Sequence, residues 1–185
     1  MLRRGIFLLG IFVIASCSMP ETRIYSLHLP ADNNKTQARK QAMITLRVQS
    51  PRYLAQPYIA HRLSPYQLDI SRYAKWDSAP VEMVREIFRD SLSGVYQDVR
   101  ASNFSAEGSL VLSINLKRFE RVDDSYAELA FDAVLYSAEG KELYRAEEQK
   151  KVQIDTKDPA GVAKGLSAAL SESVKVVLAG LGTKI

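Results

Sequence analysis

The stretch that decides the fold is SLVLSINLKRFERV, residues 109–122, because polar and apolar side chains alternate along it. Successive side chains of a β-strand point to opposite faces, so this spacing predicts a strand with one buried face. The stretch YAELAFDAVLYS, residues 126–137, alternates in the same way. Asp123 and Asp124 lie between the two stretches, where a tight turn is expected, and this predicts a β-hairpin.

A third strand is predicted over residues 142–154, after a turn at Glu139 and Gly140. Its sequence, ELYRAEEQKKVQI, is much more polar than the two before it. Charged side chains are typical of edge strands, where they discourage further pairing. We therefore expect this strand to lie at an edge of the sheet.

Two helices flank these strands. From Ser78 the pattern changes, and apolar residues recur at steps of three and four from Val81 to Val95. This predicts an amphipathic helix of about four turns, with Pro80 in its first turn and Gly94 near its end. A second helix is predicted to begin at Asp158 and Pro159 and to continue through Leu181.

The chain between residues 30 and 76 is predicted to form shorter elements. Residues 43–50 alternate like a strand, residues 30–42 form a polar loop, and Pro51, Pro57 and Pro65 divide residues 51–76 into short extended pieces. The order of the elements predicts an α+β fold, a mostly antiparallel sheet with two amphipathic helices packed on one face.

The N-terminus has the layout of an export signal. Residues 1–16, MLRRGIFLLGIFVIAS, place two arginines before an apolar run and then two small residues. The apolar run is too short for a permanent transmembrane helix. We predict a signal peptide over residues 1–16, a tether over 17–22, and a single domain within residues 17–185.

Ile14-Ala15-Ser16-Cys17 resembles the lipobox of bacterial lipoproteins, and Cys17 is the single cysteine of the chain. The resemblance implies that Cys17 becomes the mature N-terminus and carries covalent lipid, while Ser18, which is not aspartate, points to the periplasmic face of the outer membrane. Two or three acyl chains hold a protein to a bilayer durably. The alternative is an ordinary signal peptide followed by a chance cysteine.

The net charge argues against a nucleic-acid ligand. The chain has 25 basic and 21 acidic residues, a formal charge of +4. Loss of Arg3 and Arg4 with the signal peptide leaves 23 basic residues and a charge of +2. This is too weak an imbalance to indicate nucleic-acid binding.

The chain also resembles the ABC-type transport auxiliary lipoprotein family, which includes the paraquat-inducible-type outer-membrane lipoproteins. The resemblance covers nearly all of the mature chain. Its motifs are an early YSL, the stretch RVQSPRYLAQPYIAHRL, and apolar landmarks in the later elements. The matching residues are Tyr25, Leu27, Pro51, Tyr53, Leu54, Pro57, Ile59, Trp76, Leu92, Leu110 and Leu170. The segment from Asp77 to Val81 departs from the family pattern before the first helix.

The resemblance implies an accessory role in lipid transport across the periplasm. The implied partners are an inner-membrane ABC transporter and a mammalian-cell-entry-type (MCE) protein that forms a hydrophobic conduit. A ring-shaped conduit would also suit a homo-oligomer of this chain. The rival hypothesis is a general envelope lipoprotein that supports outer-membrane assembly or integrity without a dedicated transporter.

The residues themselves give no sign of an enzyme, a cofactor or a metal site. His28 and His61 lie in extended segments without ligand spacing, and no nucleophile or phosphate-binding motif accompanies them. The pairs Asp123-Asp124 and Glu147-Glu148 could serve acid–base chemistry, but neighbours on a strand point apart and paired aspartates favour turns. We expect no catalysis.

One segment does suggest a contact surface. Residues 51–76 interleave cations with aromatic rings, a combination suited to lipid headgroups or to a wet protein interface. The candidate contact residues are Arg52, Tyr53, Arg62, Arg72, Tyr73 and Trp76. The alternative is that Tyr53 and Trp76 pack in the core and the cations are only solvated; of the set, Trp76 is the residue most expected to be structural.

Overall fold

The computed structural model describes residues 21–30 and 39–185. The predictions for the signal peptide, Cys17, Ser18 and most of the 30–42 loop lie outside these residues. The described chain forms eight β-strands, two α-helices and one 3₁₀ turn. In chain order these are β1 Arg23–Tyr25, β2 Lys40–Gln49, the 3₁₀ turn Arg52–Ala55, β3 Tyr58–Ser64, β4 Gln67–Trp76, α1 Pro80–Ser93, β5 Tyr96–Ala101, β6 Leu110–Val122, β7 Tyr126–Tyr136, β8 Glu142–Gln153 and α2 Pro159–Gly182.

Strand β6 organises the sheet. One of its edges pairs with β7 along nearly its whole length, and β7 pairs in turn with β8. The other edge is shared: the first half of β6 pairs with β2, and its end pairs with β3. The sheet therefore divides into two arms, one that continues from β2 to β5 and one that continues from β3 through β4 to β1.

The predicted architecture, a mostly antiparallel sheet with two helices on one face, is wrong. The sheet is mixed: β6 runs parallel to both β2 and β3, β2 runs parallel to β5, and β1 runs parallel to β4. The alternation of side chains reports which face of a strand is buried but carries no information on strand direction. The long connections from β2 to β5 and β6, which include the β3–β4 hairpin and α1, allow parallel pairing.

Several single elements agree with the prediction. The hairpin of β6 and β7 turns at Asp123 and Asp124, both with positive φ, and β8 is an edge strand that pairs only with β7 among the described residues. Helix α1 begins at Pro80, and Asp158 caps α2 by accepting a hydrogen bond from the Gly161 amide at 2.8 Å. Strand β5 was not predicted, because its sequence YQDVRA holds only two large apolar residues.

The core lies between the sheet and the helices. Helix α1 packs on β2 and β5, whereas α2 packs on β7 and β8. Rings meet edge to face at two places, Trp76 against Phe119 and Phe88 against Phe131. Leu54 of the 3₁₀ turn is fully buried, so this turn contributes to the core at the point where the two arms of the sheet separate.

Helix α2 is the one helix in the described part of the chain that is long and apolar enough to cross a bilayer, judged by length and composition alone. Half of its most apolar window is buried within the protein. Its buried residues lie against β7 and β8, which is the position of a core helix.

Candidate interaction surface

The six candidate contact residues occupy three different environments. Arg52, Arg72 and Tyr73 are exposed, the first on the 3₁₀ turn and the other two on β4. Trp76 is 2% exposed and packs against Phe119, so it belongs to the core. Tyr53 and Arg62 are partly buried and meet at a carboxylate that the sequence did not single out.

That carboxylate is Glu120 on β6, whose side chain is fully buried. Arg62 grips it with two hydrogen bonds, from Nε to Oε1 at 2.5 Å and from Nη2 to Oε2 at 3.1 Å. The Tyr53 hydroxyl donates to Oε2 at 3.0 Å and also lies 3.2 Å from the carbonyl oxygen of Lys117. Two-point arginine pairing satisfies both oxygens of a buried carboxylate and fixes its orientation. Tyr53, Arg62 and Glu120 therefore form one internally neutralised cluster.

The electrostatics of Tyr53 agree with this role. Burial, reinforced by the neighbouring Glu120 carboxylate, raises the pKa of the Tyr53 phenol. The hydroxyl group therefore remains protonated at physiological pH and stays a hydrogen-bond donor. The phenol is a fixed structural donor and is poorly suited to act as a base.

A second buried carboxylate, Glu128, lies directly opposite Glu120 in the β6–β7 ladder. Its Oε1 accepts hydrogen bonds from Arg118 at 2.8 Å and from Gln149 at 2.7 Å. Its Oε2 lies 3.9 Å from Lys151 Nζ and has no hydrogen-bond partner among the described residues. The sequence held a signal for this pairing, since Glu120 and Glu128 are equally distant from the centre of the Asp123–Asp124–Ser125 turn.

A bulge in β6 supplies cations to this part of the sheet. The register shifts between Leu116 and Arg118, so that Lys117 is an extra residue in the strand. Lys117 pairs with Asp132 at 2.6 Å, and Arg118 pairs with Glu128. A bulge locally breaks the alternation of a strand, and here two consecutive cations find acidic partners on β7.

Among the described residues, the cluster around His61 most resembles a catalytic arrangement. Nδ1 of His61 is 3.2 Å from Nη2 of Arg121, and its Nε2 is 3.2 Å from Oδ1 of Asp124, without the alignment of a hydrogen bond. An arginine can only donate, so Nδ1 accepts, and this contact assigns the ring proton to Nε2. Burial and the Arg121 charge lower the pKa of His61. Ser71 and His61 line one cleft, but both nitrogens of the His61 ring face Arg121 and Asp124 and not Ser71.

No metal site is present among residues 21–30 and 39–185, since no group of three potential ligands converges there. Glu147 and Glu148 are consecutive on β8, so their side chains point to opposite faces. Asp123 and Asp124 form the turn of the β6–β7 hairpin, and Asp124 is paired with Arg121.

A family model identifies the family of this chain, and two solved structures share its fold. The model of the ABC-type transport auxiliary lipoprotein component matches residues 25–177. A Xanthomonas campestris protein of the family DUF330 has a similar structure, with a TM-score of 0.72, 18% identity, and coverage of 84% of this chain and 92% of that chain. An uncharacterized protein of known crystal structure has a TM-score of 0.69 and 14% identity over 87% of this chain and 99% of its own. No curated protein matches the sequence.

Proposed function

Since the chain belongs to the family of ABC-type transport auxiliary lipoprotein components, we propose that it is a lipid-anchored accessory subunit that acts by docking at the outer membrane. In this proposal Cys17 carries the lipid, and the folded domain meets an MCE-type conduit protein served by an inner-membrane ABC transporter. The domain performs no chemistry. The substrate on this account is a lipid that the conduit carries and that the domain need not bind.

The observation that carries the proposal is the extent of the family match, which runs from β1 to the last turns of α2. The state of the polar clusters supports it further. Glu120 and Glu128 are each neutralised by cations of the same chain, and His61 is enclosed by Arg121 and Asp124. Both oxygens of Glu120 are satisfied within the chain, which suits a structural role, whereas an active site keeps groups available to a substrate.

The exposed members of the candidate set are Arg52, Arg72 and Tyr73. Arg72 and Tyr73 are consecutive on β4 and point to opposite faces of the strand, so in this proposal one partner meets both at the outer edge of β4. Exposed cations and amphipathic rings can meet either phosphate headgroups or acidic groups of a partner protein. Trp76 has no exposed surface to offer, and the Tyr53 and Arg62 side chains are held by Glu120.

Crosslinking in native membranes tests the partnership. The full chain, captured from detergent-solubilised and crosslinked envelopes, is expected to bring down an MCE-type protein and the subunits of an ABC transporter. Repeated recovery of the chain without them, from envelopes in which those proteins are expressed, contradicts the proposal and favours a general envelope lipoprotein. The reading frames beside the gene give a second check, since the proposal expects an ATPase, a permease and an MCE protein there.

A double variant, Arg72→Glu with Tyr73→Ser, tests the contact surface, with Arg100→Glu as the control. Arg100 is also exposed on a strand, but it lies on β5 at the far side of the sheet and pairs with Asp98. Loss of co-capture in the double variant alone assigns the surface to the protein partner. Retained co-capture with weakened membrane association assigns it to headgroups. No effect on either readout excludes this surface.

A further inference from the structure

The β3–β4 hairpin ends in an uncharged tip that projects from the sheet. Residues 63–68, LSPYQL, contain no charged side chain, and Pro65 and Tyr66 form the turn. Tyr66 is 98% exposed and Leu63 is 43% exposed, although both are large and apolar. Two large exposed apolar side chains on an uncharged tip suit contact with a surface that is itself partly apolar.

The tip extends beyond the end of β6, where β3 and β4 pair only with each other. Strand β3 pairs with β6 only from Ala60 to Arg62, and β1 pairs with β4 only from Ala74 to Trp76. From Gln67 to Tyr73, the outer edge of β4 has no neighbouring strand among the described residues. Along that edge Tyr73 is 51% exposed and Ile70 is 43% exposed.

The direction of β1 relates this tip to the N-terminal tether. β1 runs parallel to β4, with Arg23 opposite Ala74. The chain upstream of Arg23 therefore leaves the sheet on the side of the hairpin tip. The distance that the tether can span toward the tip therefore depends on this pairing and on the number of residues between Cys17 and Arg23.

The reach of the tether is close to the distance along β4 from Ala74 to the tip. Cys17 lies six residues before Arg23, and a chain of six residues spans at most about 20 Å. On β4 the tip begins at Leu68, six residues before Ala74, which is about 20 Å along a strand. An extended tether therefore matches the distance to the base of the tip, at Leu63 and Leu68, and Tyr66 in the turn lies beyond that level.

We infer that the β3–β4 tip is a membrane-contact element, with Leu63 and Tyr66 seated in the headgroup region of the bilayer that holds the Cys17 lipid. The inference rests on the lipid anchor of the proposed function. Tyrosine suits this depth because its ring is apolar and its hydroxyl group can remain hydrated. With two or three acyl chains already bound, the tip adds orientation more than affinity.

The orientation has a consequence for the opposite end of the molecule. The start of β6, the turn between β7 and β8, and the loop of residues 102–109 lie at the end of the sheet away from the tip. Phe104 in that loop is 85% exposed. If the tip faces the bilayer, this end faces the periplasm, from which a conduit would approach.

Depth-dependent fluorescence quenching tests the inference. The full lipidated chain is reconstituted in vesicles of phosphatidylethanolamine and phosphatidylglycerol whose acyl chains carry bromine. The reporter variant is Tyr66→Trp, and the matched control is Phe104→Trp at the other end of the sheet. The native Trp76 is buried in both variants and supplies a constant background.

We expect the emission of Tyr66→Trp to shift to shorter wavelength and to lose more intensity in brominated vesicles than that of Phe104→Trp. Flotation of both variants with equal quenching overturns the inference while leaving the anchor intact. Failure of the chain to float with vesicles overturns both the anchor and the inference. An unquenched Tyr66→Trp that crosslinks to a second copy assigns the tip to self-association and also overturns the inference.

Discussion

At the scale of single residues, the pairing of Arg62 with Glu120 links the β3–β4 arm to the centre of the sheet. Glu120 is fully buried, and Arg62 satisfies both of its oxygens. Removing one partner of a buried ion pair leaves an uncompensated charge, which is far more costly than losing an exposed pair. The pair therefore fixes the register of β3 on β6.

Arg62→Met is expected to lower the free energy of unfolding by about 2–4 kcal/mol, because the carboxylate loses its counter-charge but keeps the Tyr53 hydrogen bond. Arg72→Met makes the same change at an exposed arginine of the neighbouring strand, where the expected change is within about 0.5 kcal/mol. Urea denaturation of the two variants measures the difference. Equal losses would show that the Glu120 cluster does not hold the arm in place.

His61 gives the fold a defined pH dependence. Its pKa is lowered by burial and by Arg121, so that below a pH of about 6.5 the unfolded chain binds a proton more readily than the folded protein does. Stability therefore falls as the pH decreases through this range. The charged groups near the ring are Arg121 on β6, Asp123 and Asp124 in the β6–β7 turn, and Asp69 on β4.

His61→Gln is expected to flatten this dependence, since glutamine does not titrate. The measurement is the change in the free energy of unfolding between about pH 7.5 and about pH 5.5 for the native chain and the variant. A variant that loses as much stability as the native chain on acidification would assign the effect to other groups.

At the scale of elements, α2 can approach the sheet because small residues face it. A Cβ atom added at Gly165 would lie 2.8 Å from Cβ of Ala127 on β7 and 3.2 Å from a methyl carbon of Ile154. Gly182, near the end of the same helix, has nothing within 4 Å. Alanine substitutions at the two glycines therefore distinguish the cost of overpacking from the gain in helix propensity.

Gly165→Ala is expected to destabilise the protein by about 1–3 kcal/mol, because overpacking forces α2 away from the sheet and exceeds the gain in helix propensity. Gly182→Ala should be neutral or slightly stabilising. Thermal unfolding of both variants gives the comparison. Stabilisation by Gly165→Ala would mean that α2 packs less closely than its contacts with β7 indicate.

Local elements were predictable where one physical rule dominated. Helix α1 followed from its apolar spacing and from Pro80 in its first turn, and the β6–β7 hairpin followed from two alternating stretches around paired aspartates. Strand β5 was missed because pairing with β2 stabilises a short segment whose own sequence is weakly strand-like. The Glu120 cluster was missed because its members come from the 3₁₀ turn, β3 and β6, which only the tertiary fold brings together.

At the scale of the whole molecule, strand direction was the property that the sequence concealed. The 3₁₀ turn lets the chain leave β2, bypass the middle of β6 and pair with β6 again as β3, in the same direction. Nothing in the alternation of either strand records this path. Family membership, in contrast, was predictable from scattered proline, tyrosine and leucine positions, and the match over residues 25–177 confirms it.

In the proposed function, a lipid anchor on Cys17 sets where the folded domain works, so its test belongs to the whole chain. Cys17→Ser is expected to block acylation and release the domain from outer-membrane fractions while leaving its unfolding midpoint unchanged. Fractionation of the envelope, with an antibody to the folded domain, measures the redistribution. Normal recovery of the variant with the outer membrane would show that something other than the lipid holds it there.

The central claim, that this protein contributes a location and a docking surface and no chemistry, depends most directly on the covalent state of its mature N-terminus. Intact-mass spectrometry of the chain purified from envelopes tests it in one measurement. The account predicts a polypeptide that begins at Cys17 and carries a diacylglycerol thioether, with or without a third acyl chain. An unmodified polypeptide, or one that begins upstream of Cys17, would contradict it.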